Sequence, residues 1–179
     1  MRIQCKIYFI LFICLFIQHT EGVAQASTDL WVMDTEGKGG NLKLLTSTGK
    51  PLTNRPEYDN QPSFINDSEL IFSAADDKGN NDLILYSFRT SRFTNLTQTP
   101  DRSEFSPSLT ECGSYFSAIV VEPDDTQRLW LYPIAGEAPE LLYDDIFPVG
   151  YYDFYDGKAA LFVLGEPNSF VFVRGKGSV

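Results

Sequence analysis

The strongest constraint on this 179-residue chain is an internal repeat. Asn60-Gln61-Pro62-Ser63-Phe64 aligns with Phe105-Ser106-Pro107-Ser108-Leu109, which puts Pro62 and Pro107 45 residues apart. LIFSAADD (70–77) aligns with SYFSAIVV (114–121), and DLILYSF (82–88) with RLWLYPI (128–134). Phe93-Thr94-Asn95-Leu96 aligns with Pro139-Glu140-Leu141-Leu142. A weaker third copy runs from Pro148-Val149-Gly150 to Phe170-Val171-Phe172-Val173, and DLWVMD (29–34) with LKLLT (42–46) forms part of an earlier one.

Each copy reads as strands. LIFSA, DLILYSF, YFSAIVV (115–121), RLWLYPI, YYDFY (151–155), ALFVL (160–164) and SFVFV (169–173) are aromatic or β-branched. Turn clusters such as Asp77-Lys78-Gly79-Asn80 and Asp153 to Gly157 separate several of them, as strand boundaries require. No stretch after the first 26 residues sustains a helical apolar period. Prolines at 62, 107, 123, 133, 139, 148 and 167 interrupt any long helix.

A repeat of about 40–45 residues with four strands per copy is the pattern of propeller blades. A four-stranded sheet that is apolar on both faces cannot bury them alone, and stacked neighbours can. The expected fold is therefore all-β: a β-propeller of four-stranded antiparallel blades. About three blades are expected, as the incomplete arc of a propeller of about six to eight blades. A sandwich with chance internal similarity is the alternative. An open arc leaves apolar blade faces uncovered. A truncated product is the first expectation, and self-association through the unpaired faces the second. Trp31 and Trp130 hold equivalent strand positions and are expected in the inter-blade core.

The repeats resemble the TolB-like, WD-like propeller blades of bacterial envelope proteins. The resemblance is carried by NQPSF (60–64), IFSA (71–74), NDLILYS (81–87), LTQTP (96–100), EFSPSLT (104–110) and QRLWLYPIAG (127–136). It covers most of residues 29–173. Family blades read N-x-x-P-x-[FW]-S-P-D-G before the next strand. This chain departs at that turn, with Ile65-Asn66-Asp67-Ser68 in one copy and Leu109-Thr110-Glu111-Cys112-Gly113 in the next. Asn, Asp and Gly all suit a turn there. Similar blades occur in Tol-Pal proteins and ahead of serine peptidase domains, so the resemblance implies a fold and leaves function open.

The N-terminus reads differently. Arg2 and Lys6 precede the apolar run IYFILFICLFI (7–17), and Ala24-Gln25-Ala26 precedes Ser27. That order marks a secretory signal peptide. The run is too short for a span, which needs about 20 apolar residues. A lipoprotein signal at Cys14 is disfavoured by the bulky Ile13 before it. The expected division is a signal peptide over 1–26, propeller blades over 27–173 and a C-terminal tail over 174–179. The expected destination is periplasmic or extracellular, with no membrane span after cleavage.

Cleavage there changes the available chemistry. The single histidine, His19, is removed, and of three cysteines only Cys112 remains. Without imidazole there is no Ser-His-Asp triad, no Cys-His pair and no imidazole metal ligand. One cysteine makes no internal disulfide. The formal net charge of −10 becomes one unit more negative on losing Arg2, Lys6 and Glu21. Such a surface repels phosphate backbones, so nucleic acid is not an expected partner.

Other motifs read as structure. The acidic pairs at 76–77, 124–125 and 144–145 lack a calcium-loop pattern and are expected as solvated turn carboxylates. Ser63, Ser106 and Ser108 have no nucleophile elbow. Gly37 to Gly40 and Gly175 to Gly177 lack phosphate-loop spacing. Asn66-Asp67-Ser68 and Asn95-Leu96-Thr97 are read as chance sequons. No catalytic residue, metal or cofactor is expected.

The remaining candidates follow from propeller geometry, in which segments entering the innermost strands line the channel mouth. They are Tyr58, Asn60, Gln61, Arg102, Glu104, Tyr151 and Tyr152. Exposed Tyr and Arg give large contact area with polar tips, which suits protein recognition. The expected function is a non-catalytic exported scaffold that binds a protein or peptide partner in the envelope. The alternative is the propeller part of a prolyl-oligopeptidase-like enzyme with its catalytic domain elsewhere. A propeller enzyme acting on sugars or lactones ranks last, because no paired-carboxylate motif is present.

Overall fold

Short turns join the strand runs of the repeat, so they fold as consecutive antiparallel neighbours. The computed structural model describes residues 27–174. The expected signal segment and tail residues 175–179 lie outside the described residues. A hairpin comes first, from β1 (Trp31–Glu36) and β2 (Lys43–Pro51). A four-stranded sheet follows: β3 (Asp59–Asn66), β4 (Glu69–Ala75), β5 (Asn81–Ser87) and β6 (Arg92–Asn95). The next four-stranded sheet holds β7 (Ser103–Leu109), β8 (Tyr115–Val121), β9 (Gln127–Pro133) and the short β10 (Glu140–Leu141). The last sheet has three strands, β11 (Val149–Tyr155), β12 (Lys158–Val163) and β13 (Ser169–Arg174).

In every sheet each strand pairs with its sequence neighbours, which makes a meander. The second strand of each four-stranded sheet is buried almost throughout, as in Leu70 to Ala75 and Phe116 to Val120. Burial on both faces is what a stacked blade requires, and it removes the alternation of a one-sided sheet. The outermost β6 is largely exposed.

Two apolar layers join the three larger sheets, and a third packs Leu30 and Leu52, which flank the first hairpin, against Leu70, Phe72 and Ala74 of the β3–β6 sheet. Ile71 and Leu83 of the β3–β6 sheet meet Phe116, Ala118, Val120 and Tyr132 of the β7–β10 sheet. Ile119 and Leu129, on the opposite face of the β7–β10 sheet, meet Val149, Ala159 and Leu161 of the β11–β13 sheet. Neighbouring residues on one strand thus serve two different interfaces, because side chains alternate across the sheet.

The turns that depart from the family pattern still form. The Ser68 N–H donates to Asn66 Oδ1 at 2.9 Å, closing an Asx turn between β3 and β4. Gly113 takes φ +68 between β7 and β8, and its N–H donates to the Thr110 carbonyl. The β11–β12 turn narrows to Asp156-Gly157, with φ 50 and 65, the pairing of a two-residue type I′ hairpin.

One expectation needs correcting. Trp130 packs half-buried against the inter-blade core, but Trp31 is 63% exposed. Trp31 lies in the β1–β2 hairpin, whose strands are exposed or half-buried throughout. Equivalent strand register put the two tryptophans in equivalent places, but only Trp130 has an adjacent sheet to cover it.

Candidate functional site

The inner strands open on one structural position filled in three ways. Asp59, Glu104 and Val149 succeed one another at 45-residue spacing and all are buried. The Asp59 carboxylate is met by Arg55, whose Nε and Nη2 donate to it at 2.6–3.0 Å. Arg55 Nη2 also donates to the Ala75 carbonyl at 2.7 Å. Val149 needs no partner and joins the apolar layer.

Glu104 has no basic partner. Its Oε1 lies 2.6 Å from Thr99 Oγ1 and 3.3 Å from the Tyr132 hydroxyl, and its Oε2 meets no hydrogen-bond partner. Burial, reinforced by Asp82, pushes this carboxyl up to about 7, against the pull of Thr99, Thr97 and Tyr132. Burial and the adjacent Glu104 also raise the Tyr132 phenol. Asp82 gathers the surrounding loop: Thr99 N–H, Thr97 Oγ1 and Asn95 Nδ2 donate to it at 2.7–3.2 Å.

The seven channel-mouth candidates divide by this geometry. Asn60 Oδ1 accepts the Gln61 N–H, and Gln61 Oε1 accepts the Ser106 N–H at 2.8 Å, tying adjacent sheets. Gln61 and Ser106 are repeat equivalents, and both adopt left-handed φ, 55 and 52, where the inner strand breaks register. Such a bulge re-aims the strand and is uncommon for non-glycine residues. Tyr58 is half-buried beside Thr28. Arg102 pairs with Asp101 at 3.3 Å and lies over the Trp130 ring at 5.7 Å. Glu104 is interior, as above. Tyr151 is 67% exposed and faces away from Tyr152.

Tyr152 is a tie rather than a surface group. Its hydroxyl donates toward the Ser106 carbonyl at 2.6 Å and accepts from Ser117 Oγ at 2.9 Å. Ser73, the repeat equivalent of Ser117, likewise donates across to the Glu104 carbonyl at 2.6 Å. Burial raises the Tyr152 phenol, so it stays a neutral donor. Replacing Tyr152 with Phe strands the Ser106 carbonyl, and urea unfolding is expected to show a loss of about 1–3 kcal/mol. An unchanged midpoint would contradict this role.

Residue types alone do not disclose the Asp82–Thr99–Glu104 network or the Arg55–Asp59 pair. The 45-residue alignment of Asp59 with Glu104 was the available signal. The turn carboxylates behave simply: Asp76 Oδ1 accepts the Lys78 and Asn80 N–H groups, and Asp124 Oδ1 accepts that of Thr126.

The connections entering the inner strands and the β4–β5 turn lie at one end of the sheets, because the meander alternates direction. At this loop end a cavity of about 430 Å³ opens beside the β3–β6 sheet, lined by residues including Arg55, Phe72, Asp76, Asp82 and Phe93. Bladed sheets stacked through both faces, with inner strands meeting at one end, decide the architecture. The fold of the described residues is part of a β-propeller, like that of TolB. Solved structures agree. TolB from Acinetobacter baumannii superposes with a TM-score of 0.61 at 16% identity, over 77% of this chain and 35% of that one. A chain of a nidogen/laminin complex gives 0.64 at 12% identity, over 83% of this chain and 55% of that one. The chain thus spans well under two thirds of either propeller-containing neighbour. No protein-family profile matches it, and no curated protein matches its sequence. No helix among the described residues is long and apolar enough to cross a membrane.

Proposed function

We propose that this chain is an exported, non-catalytic propeller scaffold that binds a protein or peptide in the cell envelope through its loop end. The observation that carries the reading is the loop end itself. There Arg102 and Tyr58 stand partly exposed, and at the same end a cavity with both apolar and acidic lining opens along the β3–β6 sheet. The TolB and nidogen/laminin neighbours supply precedent for the architecture. The net charge of −10 favours a basic partner over nucleic acid. The signal-peptide pattern over 1–26 supports export.

The test uses the full chain with a photo-crosslinking residue placed beside Arg102, in cells where fractions are separated. Mature protein beginning at Ser27 is expected outside the cytoplasm, crosslinked to a discrete partner. The Tyr58→Ala/Arg102→Ala double variant should fold normally and lose crosslinking by about tenfold, as for two recognition side chains. Retention in the cytoplasm would overturn export. Undiminished crosslinking in the double variant would overturn the loop end as the binding surface.

A further inference from the structure

The loop-end cavity has a composition that selects its guest. Phe72, Ile84 and Phe93 come from three adjacent strands and line it. Phe72 and Ile84 are direct cross-strand partners, and Phe93 is 51% exposed. Phe72 is itself buried under Leu30 and Leu52, so the part of this apolar floor open to an incoming side chain is Phe93 with the half-buried Ile84, and about 430 Å³ lies within the usual range for ligand pockets.

The walls carry a sign. Arg55 is the one basic residue among those lining the cavity, and its guanidinium is committed to Asp59 and the Ala75 carbonyl. That pair cancels, leaving Asp76, with Lys78 nearby, and Asp82, whose oxygens accept from the neutral groups of Asn95, Thr97 and Thr99, which do not cancel its charge. Asp76 is held below its ordinary range despite burial, because the Lys78 and Asn80 N–H groups and the Lys78 charge favour the carboxylate. Carboxylates beside a low-dielectric wall attract a cation and repel an anion more strongly than they would in open water.

Resting on the partner-binding reading above, we propose that this cavity seats an apolar side chain of a partner peptide that carries Lys or Arg at a neighbouring position. The apolar group enters over Phe93 and Ile84, and the cation lies against Asp76 and Asp82. Charge complementarity selects this occupant: an acidic or neutral segment gains the same floor but not the rim.

The probes are acetyl-Phe-Arg-amide and acetyl-Phe-Glu-amide, titrated into the full mature chain with amide NMR as readout. The Arg peptide is expected to shift the signals of Asp76, Asp82 and Phe93 with millimolar saturation, and the Glu peptide to bind about tenfold more weakly. Ala74→Leu, which fills the cavity from its wall, should abolish the shifts. Should that variant misfold, Asp76→Asn keeps the turn acceptor and should weaken the Arg peptide by about threefold. Equal affinity for the two peptides, or shifts confined to other surfaces, overturns the proposal. So do cavity signals that move with protein concentration before any peptide is added, which would make a second copy the occupant. Peptide failure with intact crosslinking at Arg102 removes the cavity assignment alone. Peptide binding without any crosslinked partner removes the broader reading instead.

Discussion

Urea unfolding of this chain is expected to show stability falling as pH rises from about 4.5 to about 7, with the Glu104→Gln variant flat across the same window. Glu104 is fully buried and has no basic partner. Its carboxyl is raised from 4.5 to about 7, first by burial and then by Asp82, with Thr99, Thr97 and Tyr132 opposing. Below the lower value both folded and unfolded chains hold the proton, and the contribution is complete. Between the two values only the folded chain holds it, so each rise in pH favours unfolding. Above about 7 both are ionised and the contribution is gone. The ceiling is about 3 kcal/mol. Glutamine is permanently neutral, keeps an acceptor for Tyr132 and cannot titrate. It should therefore exceed the wild type above neutral pH. Asp124 and Asp156 sit below their ordinary 3.8 through their contacts with Thr126 and Lys158, so their loss falls at more acidic pH and leaves the window clear. A wild-type profile as flat as that of Glu104→Gln would show that the carboxyl is ionised or solvated throughout.

The second large effect separates the two faces of the β11–β13 sheet. Leu161→Ala is expected to cost about 2–5 kcal/mol. Leu161 is fully buried in the layer shared with Ile119, Leu129 and Val149, and truncation leaves a cavity that rigid strands cannot close. Phe172→Ser on the same sheet should change stability by less than about 0.5 kcal/mol. Phe172 is 78% exposed, and Phe170 and Tyr151 beside it are similarly open. Tyr151, Phe162 and Phe170 stand opposite one another across the three strands, so the aromatic face is continuous. Denaturation of the two variants side by side reads the difference directly. Comparable losses at the two positions would mean that this aromatic face is covered in solution.

The strands, their order and the blade period were legible in the chain. Alternating aromatic and β-branched runs define strands locally, and Pro62 and Pro107 mark the same inner-strand place in consecutive blades. The altered turns at Asn66 and Gly113 were also legible, because Asx capping and positive φ are properties of the residues themselves. The site was only partly legible. Tyr58 and Arg102 keep exposed surface at the loop end, while Gln61 and Tyr152 bind the sheets to one another.

Residue order thus settles which side chains share a face, since a strand has a period of two. It leaves open whether a neighbouring sheet covers that face. Trp31 and Trp130 occupy one repeat position, yet only Trp130 meets an adjacent sheet. Asp59, Glu104 and Val149 occupy another, and their fates diverge through their surroundings: Arg55, four residues earlier, for the first; Thr99, five residues earlier, and Tyr132 of the same sheet for the second; an apolar layer shared with the neighbouring sheet for the third. Sequence sets the residue at each copy of this position; folding buries all three, and that desolvation is why the Asp59 carboxylate is paired with Arg55, the Glu104 carboxyl is pushed toward its protonated form and Val149 joins an apolar layer.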